Sequence, residues 1–371
     1  MHIRPVKTRR DQQAFLELTF RHYRGDPNFV PPLRSELRGQ FDPVKNPFLQ
    51  HCQTQLFLLE DGKGKPIGRV AAFIDKLAND HWGEPVGLFG YFESPDHAEA
   101  AGMLLEASAS WLRERGMTVM RGPWSFVSQE WGMVLEGFEP PPVVMSPYNP
   151  PYYNDLVTAY GMRKVKDLLV YAVDARNGYR IPDRILTLTD LVAGRYGIRV
   201  RQIDMVHFDR EVQTIINLSN QSLSNNWGFS PVTEAEVRAM ARDLKPIIQP
   251  KGVVFAEDSK GRPVGFAIAI PDVNHIIKPM RGSLLPFGWI KLLAQLPRLK
   301  RYRMFALGVV PEYHRKAIDS LIYRHLYETC YSPDLFMEIN YVLEDKAPMN
   351  NAIQKLGATL TRRYRVYQID L

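Results

Sequence analysis

Two hydrophobic patterns follow each other around residue 310 of this 371-residue chain. Residues 304–310 form a short run rich in apolar and β-forming side chains, which predicts a buried strand. Pro311 breaks that pattern, and apolar residues then recur from Ile318 to Leu326 at the spacing of one helix face. The chain is therefore predicted to pass here from a strand through a turn into a helix.

The turn between this strand and helix carries three consecutive basic or potentially basic residues, His314, Arg315 and Lys316. Free backbone amides and the helix dipole point at whatever lies before the first turn of a helix, so a basic turn there is suited to holding a phosphate group. Many surface turns have the same composition, which leaves an ordinary solvated turn as the alternative interpretation.

The same pattern occurs twice along the chain. Residues 56–75 match residues 253–272 without a gap, with eight identical positions. Each copy consists of two apolar runs joined by a glycine-containing turn, which predicts a β-hairpin. Residues 87–100 likewise align with residues 303–316. The order of predicted elements is therefore the same in both halves.

The ends of the two halves repeat as well. Asn154 and Tyr171 of the first half hold the places that Asn350 and Tyr367 hold in the second. Self-similarity on this scale indicates a duplicated structural unit of roughly 180 residues. We therefore predict an α/β fold with a mixed sheet, built as two tandem domains. The predicted domains are residues 1–175 and residues 176–371, the second beginning with a linker helix.

The order of elements and two sequence motifs resemble the GNAT (GCN5-related N-acetyltransferase) superfamily in tandem. LGVVPEYHRKAIDSLIYRHL is similar to the family's acyl-CoA pyrophosphate motif after its fourth strand, and KLGATLTRRYRVYQI is similar to its C-terminal strand pair. The two glycines of the family motif are Ala317 and Asp319 here. The tyrosine that often acts as general acid in the family is Val157 in one copy and Ile353 in the other.

The resemblance implies acetyl-CoA or a longer acyl-CoA as co-substrate. Carried onto this sequence, the implied binding residues are Val309, Val310, His314, Arg315, Lys316, Ala317 and Ser320. In the first copy, Asp96 and Glu99 stand at N-cap and N3 spacing in the corresponding place, which predicts a helix capped by its own carboxylates. Such a cap opposes a phosphate, so we expect acyl-CoA to bind the second domain and not the first.

The implied reaction is the attack of a neutral amine on the thioester, which needs a positioned carbonyl and a group that takes a proton. Glu338 on the predicted fifth strand of the second domain, with Asn340 and Asn350 nearby, is the candidate base and orienting set. The alternative for Glu338 is an ordinary carboxylate on an edge strand.

The alignment exposes two insertions. The first, residues 123–153, is rich in aromatic residues, acids and prolines, and its run of three prolines excludes a regular helix there. Trp124, Glu130 and Tyr153 in this segment, and Trp227 in the second copy, are candidates for lining a pocket for an amine substrate. The alternative is that these aromatic residues are structural and pack between the domains.

The second insertion, residues 276–302, mixes large apolar residues with basic ones. Residues 273–303 contain seven Lys or Arg and no Asp or Glu, while the whole chain has 47 basic and 40 acidic residues, so this stretch accounts for the entire net charge of +7. Such a segment can lie on an anionic membrane surface, cover a long acyl chain, or close the domain interface.

Charge concentrated in one segment argues against a general polyanion binder. A Fem-type aminoacyl transferase, which also resembles a tandem GNAT fold, would take its acyl group from aminoacyl-tRNA and would use residues 278–303 for RNA. A non-catalytic GNAT-like pair that binds a ligand or partner is the third possibility. The identity of the amino-containing acceptor and the oligomeric state stay open at this point.

Composition indicates a globular protein, because 371 residues that are 45% hydrophobic can form two cores. Cys52 and Cys330, one in each half, predict no disulfide framework and favour a reducing cytoplasm. The first residues lack the apolar run of a signal peptide, and no window approaches the roughly 18 apolar residues of a membrane span. The nine His show no ligand pair at helical spacing, so no metal site is expected.

Overall fold

The computed structural model describes residues 1–127 and 130–371, which form two compact units. Unit 1 consists of Met1–Leu168, Ile277–Pro286 and Arg362–Leu371, and unit 2 consists of Leu169–Ile276 and Phe287–Thr361. Unit 1, which contains most of the first sequence repeat, thus includes the end of the second repeat. Unit 2, which contains most of the second repeat, includes the end of the first. The predicted domains, residues 1–175 and 176–371, follow the sequence repeats and not these units, and the boundary between them stays a prediction.

The described residues form both strands and α-helices, as expected for an α/β fold. The strands are β1 (His2–Pro5), β2 (Cys52–Glu60), β3 (Pro66–Asp75), β4 (Val86–Glu93), β5 (Val119–Gly122), β6 (Met133–Glu136), β7 (Arg163–Asp174), β8 (Arg199–Gln202), β9 (Val253–Glu257), β10 (Pro263–Pro271), β11 (Arg301–Val309), β12 (Phe336–Leu343) and β13 (Thr359–Asp370). The helices are α1 (Arg9–His22), α2 (Arg34–Gln40), α3 (Lys76–Trp82), α4 (Ala98–Arg113), α5 (Tyr153–Ala159), α6 (Asp183–Tyr196), α7 (Phe208–Leu223), α8 (Glu234–Leu244), α9 (Asn274–Ile277), α10 (Gly288–Gln295), α11 (Ile318–Cys330) and α12 (Ala347–Lys355).

Unit 1 contains a mixed sheet in the order β1-β2-β3-β4-β5, followed by the end of β13. β2 and β3 form an antiparallel hairpin. β4 and β5 run parallel, and their pairing covers residues 86–88 of β4, which then continues past the end of β5 to Glu93. The apolar face of α4 joins the buried faces of these strands in one core.

Unit 2 repeats this plan in the order β8-β9-β10-β11-β12, followed by the end of β7. β9 and β10 form the second antiparallel hairpin, and β11 runs parallel to β12. The predicted α/β fold with a mixed sheet and the hairpins predicted at residues 56–75 and 253–272 are therefore confirmed. In the part of the chain that the structure describes, no helix combines the length and the hydropathy needed to cross a lipid bilayer.

A β-bulge interrupts β4 shortly before its end. Tyr91 and Phe92 lie opposite the single residue Val70 of β3, and Tyr91 has a φ of 49°. Few residues other than glycine adopt such a backbone conformation. A bulge bends its strand and re-aims the side chains that follow, and the residue that follows here is Glu93.

In each unit, a buried hydrogen bond between a tyrosine and an asparagine links the strand that follows the parallel pair in the sheet order to a neighbouring helix. In unit 1, the Tyr367 hydroxyl donates to Asn154 Oδ1 at 2.8 Å, and in unit 2 the Tyr171 hydroxyl donates to Asn350 Oδ1 at 2.9 Å. Each pair joins the tyrosine of one repeat to the asparagine of the other. The duplication is therefore completed by an exchange of final strands.

Candidate active site

A buried ion pair lies where β4 ends in unit 1. Arg69 of β3 and Glu93 of β4 are cross-strand partners, and Arg69 Nη2 lies 3.4 Å from Glu93 Oε1. Arg69 Nη1 donates to the Phe15 carbonyl at 2.8 Å. Both charged residues are buried. Because burying two charges costs stability that a well-packed apolar pair would not lose, the ion pair marks a candidate functional site.

Tyr153 connects this ion pair to a histidine. Tyr153 is the first residue of α5, and its hydroxyl donates to Glu93 Oε2 at 2.7 Å while its oxygen lies 2.8 Å from His22 Nε2. The Ser94 backbone N–H donates to the same oxygen at 3.1 Å. A continuous chain of hydrogen bonds thus runs from a buried carboxylate to the half-buried ring of His22. We call Arg69, Glu93, Tyr153 and His22 the Glu93 cluster.

The surroundings set the protonation of this cluster. Burial, and then the negative charge of Glu93, raises the pKa of Tyr153 well above its usual value. The same two causes raise the pKa of the neighbouring Tyr152 to about 12. Burial lowers the pKa of His22, although the charge of Glu93 acts in the opposite direction. At neutral pH Tyr153 and the neighbouring Tyr152 are therefore protonated, and the imidazole of His22 is neutral.

The hydrogen bonds also assign the tautomer of His22. Tyr153 has one hydroxyl proton, which it donates to Glu93. His22 Nε2 must then carry a proton of its own to bond the Tyr153 oxygen, so the neutral ring is the Nε2–H tautomer. If Tyr153 gives its proton to another group, the His22 Nε2–H stabilises the phenolate by its hydrogen bond, and Glu93 can pass on a proton that it has itself taken up. The cluster can therefore move a proton between Glu93 and Tyr153.

The lowered pKa of His22 predicts a pH-dependent stability. A histidine that stays neutral in the folded state is protonated more readily in the unfolded state, so the free energy of unfolding falls as pH drops below the ordinary value of 6.5. Burial lowers the pKa of His325 in the same way. We expect His22→Gln to reduce the loss of stability between pH 8 and pH 5.5, as measured by urea unfolding.

The unmodified chain, unfolded over the same pH range, is the reference for this measurement. An unchanged slope in the His22→Gln variant would contradict a neutral His22.

Three members of the Glu93 cluster have apolar counterparts in the second repeat. The alignments of the hairpins, of the fourth strands and of the repeat ends assign each counterpart directly. The corresponding pairs are Arg69/Phe266, Glu93/Val309 and Tyr153/Met349. Unit 2 adopts the same order of strands with these apolar residues. The fold itself therefore does not require the Glu93 cluster.

The structure brings together two of the three residues predicted to carry the chemistry. Asn340 Nδ2 donates to Glu338 Oε1 at 2.9 Å, and Asn340 Oδ1 accepts from Arg303 Nε at 2.8 Å. All three of these side chains are buried in unit 2. Asn350 bonds elsewhere: its Oδ1 accepts from the Tyr171 hydroxyl, and its Nδ2 donates to the Leu343 carbonyl at the end of β12. The role of Glu338 as a base stays a prediction.

The predicted cofactor residues lie on an irregular turn of unit 2. α11 begins at Ile318, so the basic residues at 314–316 precede its first turn. Arg315 and Ala317 have φ values of 60° and 56°, in the left-handed region that glycine favours. Without the glycines of the family motif, the chain reaches this conformation with ordinary side chains.

The side chains of this turn make contacts within unit 2. His314 Nε2 lies 2.8 Å from the Val309 carbonyl oxygen, so the ring donates to the end of β11. Lys316 Nζ lies 4.4 Å from the ring centre of Tyr313. The Ser320 hydroxyl donates to the Ala317 carbonyl at 2.6 Å. Two of the three basic side chains are therefore held against the protein.

The first turn of α11 contains a carboxyl group, that of Asp319. Burial raises the pKa of Asp319, although the backbone N–H groups of Ser320 and Asp319 act in the opposite direction. The Ser320 N–H donates to the Ala317 carbonyl at 3.1 Å. In its ionised form, Asp319 disfavours a second anion at the start of this helix.

The carboxylate cap predicted for α4 is wrong. His97 is the N-cap residue, and its Nδ1 accepts from the Ala100 backbone N–H at 3.3 Å. The His97 backbone N–H bonds the Pro95 carbonyl at 2.7 Å, and this turn delays the start of the helix by one residue. Asp96 and Glu99 are exposed. An imidazole thus stands at the helix start of unit 1, where a carboxylate was predicted.

The residues predicted to bind the acceptor are divided among different surroundings. Trp124 is buried, with its ring centre 4.5 Å from that of Trp131. Glu130 in unit 1 and Trp227 in unit 2 are half-buried. Tyr153 is the member of this set that belongs to the Glu93 cluster. Their binding of substrate stays a prediction.

A polar cleft of about 400 Å³ lies beside the end of β11 in unit 2. Thr214, Asn217 and Gln221 of α7 line one side. Arg262 and Glu312 also line it and form an ion pair at 3.1 Å. This cleft offers hydrogen-bonding groups next to the predicted cofactor turn.

One group of side chains in the described residues has the spacing of metal ligands. Ligand atoms of His51, Cys52 and Asp75 lie within 4.8 Å of one another. Asp75 Oδ1 is 3.0 Å from His51 Nδ1 and also accepts from the Ala78 backbone N–H at the start of α3. Asp75 is thus the N-cap residue of α3.

Sequence reasoning named Tyr153 but missed the other members of the Glu93 cluster. Arg69 and Glu93 each interrupt an apolar strand pattern, and each aligns with an apolar residue in the second repeat. That difference between the copies is the signal that could have identified them. His22 ends an amphipathic helix, where a basic residue is common, so the sequence carries no comparable signal for it.

Comparisons with known proteins support this assignment of the fold. No family model matches the chain. Among solved structures, a tandem GNAT protein from the clavulanic acid biosynthesis pathway is similar with a TM-score of 0.57 and 13% identity, covering 100% of this chain and 98% of that one. A GCN5-related glucosamine N-acetyltransferase region of a fungal multi-domain β-N-acetylglucosaminidase has a TM-score of 0.60 and 14% identity, covering 99% and 38%.

Sequence similarity extends over almost the whole chain. The bacterial ceramide synthase of Caulobacter vibrioides is 34% identical over 376 residues, which cover 98% of this chain and 96% of that protein. Protein YghO of Escherichia coli is 31% identical over 374 residues, which cover 99% and 94%. The chain therefore belongs to the family of the bacterial ceramide synthase, and its fold is that of a tandem GNAT protein.

Proposed function

We propose that the chain is an N-acyltransferase that joins a fatty acyl group from acyl-CoA to the amino group of a long-chain amino alcohol, the reaction that yields a ceramide. The family relationship supports acyl transfer in general. The observation that carries the proposal is the Glu93 cluster, in which a buried carboxylate is linked through Tyr153 to His22. Such a network is suited to moving the protons that amide formation requires.

The cluster accounts for the protons of this reaction. The amine nitrogen bonds to the thioester carbon, the carbon–sulfur bond breaks, the amine loses a proton and the sulfur gains one. In our proposal Glu93 accepts the amine proton, and Tyr153 protonates the departing thiolate. The proton on Glu93 then returns to Tyr153 through their hydrogen bond. The cluster ends in its starting state, and CoA leaves as the free thiol.

We place the acyl donor in unit 1, along β4 and at the start of α4. Glu93 ends β4, and α4 begins five residues later at Ala98, so a pyrophosphate at this helix start would hold the thioester near the cluster. The first turn of α11 in unit 2 contains the half-buried Asp319, whereas Glu99 in the first turn of α4 is exposed to solvent. Binding at the basic turn of residues 314–316 is the alternative that the sequence predicts.

The activity can be tested with the purified chain. A long-chain 2-amino-1,3-diol and a long-chain acyl-CoA are incubated with it, thiol release is followed with a thiol reagent, and the amide is identified by mass spectrometry. Acetyl-CoA and glucosamine replace the donor and the acceptor in parallel reactions. We expect amide formation with the two long-chain substrates. Absence of thiol release above the protein-free rate in all four combinations would contradict the proposal.

The position of the donor predicts a charge effect at the start of α4. His97→Asp places a carboxylate where the pyrophosphate would lie, while His97→Asn provides a neutral cap of similar size. We expect His97→Asp to weaken CoA binding by about five- to tenfold relative to His97→Asn, as measured by calorimetry, because the added charge opposes the phosphates. The joint change Arg315→Ala and Lys316→Ala is expected to leave binding unchanged. The reverse pattern would place the donor in unit 2.

A further inference from the structure

The helix α10 of unit 2 exposes an apolar side. The helix contributes no buried residue among the described positions, and Phe287, Ile290 and Leu293 are 73%, 48% and 55% exposed. These three residues follow each other at intervals of three, which places them on one side of a helix. Large side chains that are this exposed and adjacent are typical of an interaction surface.

The opposite side of the same helix is less exposed. Leu292 and Leu296 are half-buried there, whereas Phe287, Ile290 and Leu293 face solvent. A helix that exposes an apolar stripe in this way has a face available for an apolar phase outside the protein.

The charge next to this face is positive. Residues 273–303 contain seven Lys or Arg and no Asp or Glu. Arg301 and Arg303 are engaged within unit 2, by an ion pair and by a buried hydrogen bond respectively. Lys291 and Arg298 are exposed and provide positive charge beside the apolar side chains. Exposed apolar side chains with basic residues beside them are complementary to a surface whose outer layer is anionic and whose interior is apolar.

We propose that α10 docks the protein on an anionic lipid membrane. Phe287, Ile290 and Leu293 enter the boundary between headgroups and acyl chains, and Lys291 and Arg298 lie at the level of the lipid phosphates. Insertion removes apolar surface from water, and each basic residue adds attraction to anionic lipid. Docking requires neither acyl transfer nor bound substrate, so this inference and the proposed function can fail independently.

Vesicle flotation with the full-length chain tests the docking. The vesicles contain phosphatidylcholine alone or phosphatidylcholine mixed with phosphatidylglycerol, and no substrate is present. We expect the chain to float with the mixed vesicles. The triple change Phe287→Ser, Ile290→Ser and Leu293→Ser should lower the partition coefficient by at least about tenfold. Lys291→Glu with Arg298→Glu should lower it by about tenfold or more on the mixed vesicles.

Matched controls use residues of the same unit away from α10. Leu191 and Val206 are 68% and 88% exposed, so Leu191→Ser with Val206→Ser removes exposed apolar side chains elsewhere. Lys260→Glu with Lys355→Glu reverses two other exposed charges. Both control variants are expected to float as the unmodified chain does. Equal losses in the controls and in the α10 variants would overturn the proposal.

Two other occupants of this face give different results. If a second copy of the chain covers it, the triple variant changes the molecular mass in light scattering and the unmodified chain does not float. If the basic residues serve tRNA, Lys291→Glu with Arg298→Glu abolishes a strongly salt-dependent retention of tRNA, again without flotation. Either result overturns membrane docking. Flotation that is weakened both by the triple apolar change and by the double charge reversal supports it.

Discussion

Glu93→Gln is expected to lower kcat for acyl transfer by about 10²- to 10⁴-fold, the usual contribution of a general base. The amide of Gln keeps the volume of the side chain and can still accept the hydrogen bond from Tyr153, but it cannot take a proton from the amine. CoA binding should change little, because Glu93 acts on the proton and not on the phosphates. Steady-state kinetics with the long-chain substrates, alongside calorimetry with CoA, measures both quantities.

Glu338→Gln is the matched control. Both carboxylates are buried on a strand, and both lie opposite an arginine in the strand register, Arg69 for Glu93 and Arg303 for Glu338. The two substitutions therefore perturb comparable environments in different units. If Glu338→Gln abolishes activity and Glu93→Gln leaves it intact, the catalytic role predicted from the sequence is correct and the Glu93 cluster is structural.

Tyr153→Phe separates a chemical role from a packing role. It keeps the ring and removes the hydroxyl that connects Glu93 and His22. If Tyr153 protonates the leaving thiolate, kcat should fall about a hundredfold or more, and the loss should be smaller for an acyl donor with a more acidic thiol. A loss that does not depend on the leaving group would assign Tyr153 to positioning.

The duplication was predictable from sequence because it rests on local patterns that both copies preserve. The turn and the apolar alternation at residues 56–75 and 253–272 specify a hairpin independently of the rest of the chain, and the structure has both hairpins. The exchange of final strands was not predictable. Tyr171 and Tyr367 occupy equivalent places in their repeats, and sequence periodicity does not reveal which asparagine each of them bonds.

The capping of the two equivalent helices shows where local rules stop. Asp96 and Glu99 satisfy the spacing of a capping box, yet His97 caps α4. The spacing rule does not include the turn at Pro95, which moves the start of the helix by one residue. In unit 2 the helix starts later, and its first turn contains Asp319 as that of α4 contains Glu99. A shift of one residue was therefore enough to remove the carboxylate cap that was expected to distinguish the two units.

The Glu93 cluster assembles residues that are distant in sequence. His22 ends α1, Arg69 and Glu93 lie on neighbouring strands, and Tyr153 starts α5. The β-bulge at Tyr91 directs the end of β4 towards them. Their proximity depends on packing between elements, which residue periodicity does not specify. Comparison of the two repeats would still have identified Arg69 and Glu93 as polar residues that the fold does not need.

Arg69→Met is expected to destabilise the protein by about 3–5 kcal/mol, because it leaves the buried carboxylate of Glu93 without its charged partner. The double change Arg69→Met with Glu93→Gln removes both charges, and we expect it to recover most of the lost stability. Urea unfolding of the two single variants and the double variant measures the coupling between the residues.

Arg303→Met offers a comparison in unit 2, where Arg303 is buried and hydrogen-bonded to Asn340. If Arg303 serves only the structure, Arg303→Met should lower the free energy of unfolding, and adding Glu93→Gln should not recover the lost stability. Additive effects of Arg69→Met and Glu93→Gln would contradict the ion pair as the reason that the carboxylate is tolerated inside unit 1. Strong coupling, together with the loss of activity in Glu93→Gln, would mean that Arg69 compensates the burial of a catalytic Glu93, whose counterpart in the other repeat is Val309.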